Sequence, residues 1–472
     1  MSDRIIDELE DDYRSHPFLG TPRGKLTLAL LCAIGFLDFI DASIVNVALP
    51  KIRSDLHFSV QGLQWVLSGY LLTYGGFMLL GGRAGDLLGR RRVLVTGTTL
   101  FGISSLVGGF AGSAGVLVGA RLSQGLGAAM MLPAALSLLT TMFREGKERH
   151  TALGVWGGVA GLASAVGVFL GGVLADGPGW RWVLFVNPPI CLLVLAAVFL
   201  MIPGERRQSR LADFDLTGSV LVTGGMLLLV YTLVKAPDAG WGSARTVGGL
   251  AGAAALLGLF IANETRSPHP LVPLSVFRIP GLAAANVTQM IALAGLLAMF
   301  FFLTIYMQTV LGYSPLKTGA AYLPLCFGVG IAAGISAKLL SVVGTKPVAV
   351  VGAVTAAAGL MVLSRVPVGG SYLADLLPGL MVVSFGLGAV FVAITTAANA
   401  GVPEAQAGLA AALLNASQQV GGALGLAILS AVATARTHHL SGHVSPPHAL
   451  SGGFHRALLT ASFFVIAAGL IA

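Results

Sequence analysis

The sequence predicts an all-α integral membrane protein that crosses a bilayer about fourteen times, and three observations predict it. Hydrophobic residues make up 55% of the 472 and charged residues 10%, where a soluble domain carries roughly 25% charged residues. Apolar stretches of about 20 residues recur along the whole chain, each long enough to cross a core about 30 Å thick as a helix, and twice the length a barrel strand needs. The 64 glycines would weaken helices in water, but between membrane helices small residues allow close backbone approach.

The elements follow in order. An acidic tail, with Asp3, Asp7, Glu8, Glu10, Asp11 and Asp12, occupies residues 1–25 and lacks the basic start of a cleavable signal peptide; it is expected to be cytoplasmic and mostly disordered. Spans are expected near 26–49, 61–82, 93–112, 115–142, 151–174 and 182–203, forming a first bundle over 26–203. Two isolated spans near 215–235 and 245–263 sit in an inserted segment, 204–279. Six more, near 282–311, 317–340, 346–364, 372–399, 405–434 and 454–472, form a second bundle over 280–472. The last of these is the weak point, since 19 residues at about 1.5 Å each barely cross the core and the chain stops at once.

Charge sets the expected orientation. With both termini cytoplasmic, the inner segments gain Arg90, Arg91, Arg92, Arg144, Lys147, Arg149, Arg206, Arg207 and Arg210, as the positive-inside tendency requires. Trp65, Trp180, Trp182 and Trp241 then fall near the outer boundary. The net charge of +8 is explained by these short loops, so no nucleic-acid partner is expected. Cys32, Cys191 and Cys326 lie far apart in apolar segments and read as structural thiols. A loop from Arg436 to Arg456 holds His438, His439, His443, His448 and His455, whose spacing fits no metal-ligand pattern. No metal, cofactor or enzyme chemistry is expected. A degenerate repeat relates GRAGDLLGRR, Gly82 to Arg91, to AKLLSVVGTK, Ala337 to Lys346; Gly89 matches Gly344, while Ser341 and Thr345 replace Asp86 and Arg90. Parallel six-span repeats are a known transporter architecture.

Buried charge carries the chemistry. Asp38 and Asp41 lie three residues apart on one helical face of the first span. A carboxylate at that depth costs about 2.5 to 3.5 kcal/mol on insertion scales, and desolvation and like charge both work against ionisation of the pair. The pair is thus a candidate proton carrier; the alternative is that either residue only hydrogen-bonds a neighbouring helix such as the fourth. Arg121, within the fourth span, stays charged in a protein interior and needs an anion, carbonyls or water; it could tune the carboxylates, bind substrate or clamp backbone. Asp86 and Arg90, one helical turn or tight loop apart at the cytoplasmic edge, form a candidate gate latch with Gly82 and Gly89; the alternative is a solvated loop. Gly154, Gly157, Gly158, Gly161, Gly167, Gly171 and Gly172 give the fifth span a track for close packing. In the second bundle no carboxylate is expected to be buried except Glu404 near a span end, so proton chemistry is expected in the first half, and Asn286, Gln289, Thr304, Gln308 and Asn399 are candidate substrate contacts.

From about residue 26 onward the chain resembles the major facilitator superfamily, in particular its fourteen-helix drug:proton antiporter branch. The resemblance rests on DASIVNVALP (Asp41 to Pro50), the Gly82 to Arg92 motif, RLSQGLG (Arg121 to Gly127), WRWVLFVNPP (Trp180 to Pro189), DFDLTG (Asp213 to Gly218) and LLNASQQVGGALG (Leu413 to Gly425). It implies two six-helix bundles with an inserted pair, alternating access by rocking of the halves, and a central cavity lined mainly by the first, fourth, ninth and twelfth helices. By position it makes Asp41 the first-helix carboxylate, Arg121 the fourth-helix arginine, and Asp86 with Arg90 the latch; Asp38 comes from spacing alone. The chain departs where the family's fifth-helix motif usually has Gly-Pro, here Gly167 and Val168, which removes a proline kink. The expected function is a multi-pass, monomeric cell-membrane exporter of hydrophobic or cationic small molecules such as antibiotics, dyes or quaternary ammonium compounds, driven by protons. The alternative is a lipid or cell-envelope precursor translocator of the same fold. A third class, a sensor or scaffold without transport, is argued against by the buried charges.

Overall fold

The computed structural model describes residues 18–144, 147–203, 215–268, 270–399, 402 and 404–472. Most of the expected tail, with Arg206, Arg207 and Arg210, lies outside them. The long helices are α1 (Pro22–Leu56), α2 (Trp65–Leu88), α3 (Arg90–Gly109), α4 (Ala114–Met142), α5 (Lys147–Asp176), α6 (Asn187–Met201), α7 (Leu216–Ala239), α8 (Ala244–Arg266), α9 (Leu282–Ile305), α10 (Pro315–Val343), α11 (Thr345–Leu363), α12 (Leu377–Asn399), α13 (Glu404–Leu440) and α14 (Pro446–Ile471). Short turns at Trp182–Phe185, Tyr306–Val310 and Tyr372–Leu376 adjoin α6, α9 and α12. Among the described residues, ten helical stretches are long and apolar enough to cross a membrane by length and composition.

The starts of these helices are written in the sequence. Thr21 precedes Pro22 and its hydroxyl accepts from Gly24 N at 3.0 Å; Ser314 precedes Pro315 and accepts from Lys317 N at 3.2 Å. Asp215 caps α7 through Gly218 N at 2.8 Å. Each side chain satisfies an amide that the helix cannot, and proline at the first turn gives up no bond.

One open alternative is decided and one expectation is corrected. The segment Gly82 to Leu88 continues α2 as helix, and only Gly89, at φ 98°, breaks the chain before α3. A glycine suffices because it alone reaches this backbone region without strain; the matched Gly344, at φ 82°, ends α10 in the same way. The histidine-rich loop is also mostly helical: α13 runs on to Leu440 and α14 begins at Pro446, not near 454. Ser445 followed by two prolines is a start signal that the polar composition hid. At 26 residues, α14 is long enough to cross a bilayer core, at about 1.5 Å per residue.

Packing repeats between the halves. Helix α1 packs on α5 as α9 packs on α13, α2 on α4 as α10 on α12, α3 on α4 as α11 on α12, and α3 on α6 as α11 on α14. Among the described residues, the two broadest seams between the halves are α5 against α10 and α2 against α13. The α7–α8 hairpin rests on the second seam through α7. Outward faces carry exposed Leu193, Leu200, Val342 and Leu470, the surface that a bilayer covers.

Glycines bring backbones into contact at the crossings. A side-chain carbon at Gly425 would stand 2.1 Å from Ala294 O, and one at Gly421 2.2 Å from Met290 O, where α13 crosses α9. Gly425→Val is therefore expected to force the helices apart at a cost of roughly 1–3 kcal/mol or more. A lowered melting temperature in detergent would register this. Gly112→Ala, with nothing within 4 Å of the added carbon, should melt with the parent; equal loss in both variants would contradict the packing argument.

Candidate functional site

The site is built on α1, α2, α4 and α6. Asp41, on α1, is fully buried, and its carboxylate accepts from three side chains. Arg121 Nη1 on α4 donates to Oδ2 at 2.6 Å, while Gln124 Nε2, one turn along α4, and Asn187 Nδ2 donate to Oδ1 at 2.8 and 2.6 Å. Arg121 is also fully buried; its Nε donates to Val66 O at 3.0 Å and its Nη1 to Gln124 Oε1 at 2.7 Å. The guanidinium lies 4.3 Å from the centroid of the Tyr70 ring, a cation–π contact strengthened by desolvation. Among the described residues, Arg121 Nη2 and Asn187 Oδ1 have no protein hydrogen-bond partner.

The approach of Asn187 is fixed from both sides. Trp180 Nε1 and Arg181 Nη1 both donate to Asp55 Oδ2, at 2.9 and 2.6 Å, pinning the preceding turn to the end of α1. Pro188 and Pro189 then start α6, and Ser105 of α3 accepts a second bond from Asn187 Nδ2 at 3.0 Å.

Asp38 belongs to a different set. Its Oδ1 accepts from Tyr70 OH at 2.7 Å and its Oδ2 from Tyr74 OH at 2.9 Å; Asp38 and both tyrosines are buried. The two aspartates thus share a helix but not a partner: one is neutralised by a cation, the other held by neutral hydroxyls. Arg121 is both the counterion and the carbonyl clamp that the sequence left open.

The expected second-half contacts divide. Asn286 Oδ1 accepts from Ser417 Oγ at 2.8 Å and Gln289 Nε2 donates to Gln418 Oε1 at 3.1 Å, both between α9 and α13. Thr304 and Gln308 instead tie the halves together, since Asn46 Nδ2 donates to Thr304 Oγ1 at 3.1 Å and Gln308 Nε2 to Val47 O at 2.7 Å. The side chain of Asn399 lies outside the described residues, as does that of Asp86. Gly82 faces Pro133 of α4, 3.7 Å from where a side-chain carbon would sit, and Arg90 opens α3 beyond the Gly89 break. In α5, Gly167 and Gly171 lie against Ile40 and Ile44 of α1, and Gly172 against Pro315 of α10; the side chains at the expected Gly154, Gly157, Gly158 and Gly161 positions fall outside the described residues. Among the described residues no cluster of His, Cys, Asp and Glu could hold a metal ion.

Sequence reasoning missed Tyr70, Tyr74, Ser105, Gln124 and Asn187. Spacing carried part of the signal: Gln124 stands three residues after Arg121, and Tyr70 and Tyr74 share a face of α2. Asn187 sat within the WRWVLFVNPP motif, where only the tertiary fold gives it a task.

Comparison with known proteins adds the family. The profile of the Major Facilitator Superfamily matches residues 31–426. The chain is 40% identical to the puromycin resistance protein pur8 of Streptomyces alboniger over 94% of this chain and 89% of that protein. It is 36% identical to the cephamycin export protein CmcT of Amycolatopsis lactamdurans over 95% and 91% of the two chains. Among solved structures, a bacterial homolog of the human lysosomal transporter Spinster, inward-facing and occupied, superposes with a TM-score of 0.69 at 16% identity, covering 96% of each chain.

Proposed function

The chain belongs to the Major Facilitator Superfamily, and on that premise we propose that it exports hydrophobic or cationic small molecules, antibiotics among them, in exchange for protons by alternating access. One observation carries this reading: the first half buries two carboxylates that are compensated differently. Asp41 has a guanidinium at 2.6 Å, whereas Asp38 has hydroxyl donors at 2.7 and 2.9 Å. Protonating Asp41 breaks an ion pair. Protonating Asp38 breaks none, and the new O–H can donate to a tyrosine oxygen. Asp38 therefore takes the exchanging proton, and Asp41 with Arg121 forms the charge pair that responds to it. Coupling between proton and cargo then requires only that each binds one state better, with reciprocal effect.

The remaining assignments follow from position. Asn286 and Gln289 offer amides to the cargo, Gln289 Oε1 having no protein partner among the described residues; Asn399 joins them by sequence position. Thr304 and Gln308 act as seam contacts, and Asp86 and Arg90, with Gly82 and Gly89, act as the latch between α2 and α3. The protein crosses the membrane fourteen times as a monomer, with α7 and α8 inserted between bundles 26–203 and 280–472 and both termini cytoplasmic. Relatives named for puromycin resistance and cephamycin export favour antibiotic cargo over lipid translocation.

The test is transport in proteoliposomes with an imposed pH gradient, using puromycin, a cephamycin and a quaternary ammonium dye. Gradient-driven movement of at least one compound, collapsed by a protonophore, is expected. Movement that is indifferent to the gradient for every compound carried would overturn proton coupling.

A further inference from the structure

The seam between α2 and α13 contains polar groups that the transport site does not use. Gln64 and Ser68 of the α2 side are 0% exposed and Ser430 of α13 is 3% exposed. Among the described residues, Gln64 Oε1 and Nε2, Ser68 Oγ and Ser430 Oγ have no protein hydrogen-bond partner. Gln64 stands at the N-cap of α2 yet makes no capping bond with its side chain.

Register brings the three together. A side-chain carbon at Gly75 would lie 2.9 Å from Gln419 Cβ, and one at Gly422 3.3 Å from Leu71; further along, Leu72 packs with Ala423 and Ala427. The helices therefore run antiparallel, so stepping back along α2 to Ser68 and Gln64 corresponds to stepping forward along α13 to Ser430. The α7 helix roofs this stretch: Thr223 Oγ1 donates to Gly76 O at 3.1 Å, Met226, Leu227 and Val230 join the Leu72 cluster, and the Tyr231 ring lies 6.4 Å from that of Trp65. The α7 side of the seam is thereby closed to lipid, and water is a partner of matching chemistry for such enclosed groups.

We propose that Gln64, Ser68 and Ser430 form a buried hydration site in the α2–α13 seam, and that this site keeps the seam separable. An apolar seam of this length, packed through Gly75 and Gly422, would gain by staying shut. Trapped water returns only part of the hydrogen bonding that bulk water gives these groups and is itself immobilised, so closing the seam carries a cost that opening it relieves. The site thus biases the two halves towards parting on the side where α2 begins and α13 ends. The inference rests on the alternating-access reading, and its test separates the two.

Spin labels at Gly112→Cys and Val444→Cys, in a chain whose Cys32, Cys191 and Cys326 are serine, report the separation of the halves at that end. The parent in nanodiscs is expected to show a short and a long distance. The variant Gln64→Leu with Ser68→Ala and Ser430→Ala should shift the ratio towards the short distance roughly fivefold or more, as expected when orphaned polar atoms are removed, and should raise the melting temperature while slowing turnover. Should that variant not fold, Ser430→Ala alone must shift the ratio in the same direction by a smaller factor. An unchanged ratio, or a shift to the long distance, overturns the hydration site. A parent with a single distance at every pH overturns alternating access together with it. Water density between Gln64 and Ser430 in a high-resolution map supports the proposal, and a dry seam contradicts it.

Discussion

Arg121→Gln is expected to abolish transport and to lower the melting temperature more than any other single substitution in the site. Arg121 and Asp41 are both fully buried and meet at 2.6 Å. Removing the guanidinium leaves a carboxylate in the interior with Gln124 and Asn187 as its side-chain donors, and breaking a buried pair from one side costs about 3–5 kcal/mol. Adding Asp41→Asn removes the stranded charge, so the double variant should recover most of the lost stability but not the transport. Arg121→Lys keeps the charge and loses the planar fork that reaches Val66 O, and should fall between the two. Fluorescence-detected gel filtration over a temperature series, alongside the proteoliposome assay, reads both properties. If Arg121→Gln melts with the parent, the ion pair does not hold the bundle; if the double variant transports at the parental rate, the pair is structural only.

Asp38→Asn is expected to do the reverse, sparing the fold and removing the response to pH. The amide matches the carboxyl in size, and its oxygen can accept from one tyrosine while its nitrogen donates to the hydroxyl oxygen of the other. No cation loses a partner, so stability should stay within about 1 kcal/mol of the parent. Because the amide imitates a permanently protonated acid, cargo binding should persist but cease to vary with pH, and gradient-driven transport should stop. Binding of the transported compound measured over a pH series decides the matter: a variant that keeps the parental pH profile would show that Asp38 is not the exchanging group. Asp41→Asn, by contrast, strips Arg121 of its counterion and should lose stability as well as transport.

Helix positions were legible because apolar runs, capping residues and prolines mark them locally. Asp38, Asp41 and Arg121 were legible because charge inside an apolar run is costly and therefore conspicuous. The extension of α2 through Asp86 was left open between a helical turn and a tight loop by polar composition, which reads as loop wherever a helix protrudes from its apolar run. The start of α14 was hidden in the same way by histidine, proline and glycine. Partner choice was legible only in part: the fourth helix and Arg121 were expected beside the carboxylates, yet a spacing of three places Asp38 and Asp41 on one face, and only the fold turns one towards the tyrosines of α2 and the other towards α4 and α6. Thr304 and Gln308 show the same limit, since a buried polar residue looks alike in sequence whether it faces cargo or a neighbouring half.

Asp38, Asp41, Asn46 and Val47 all ride on α1, one continuous helix of 35 residues. Asn46 and Val47 bond the opposite half through Phe300, Thr304 and Gln308. Any twist of this rod that relaxes the Asp41 pocket must therefore carry the cross-bundle bonds with it, as a crankshaft carries its journals. If Asp38 exchanges the proton as proposed, the second bundle can follow a change in protonation without titrating itself, because what reaches it is torque delivered to neutral amides and hydroxyls.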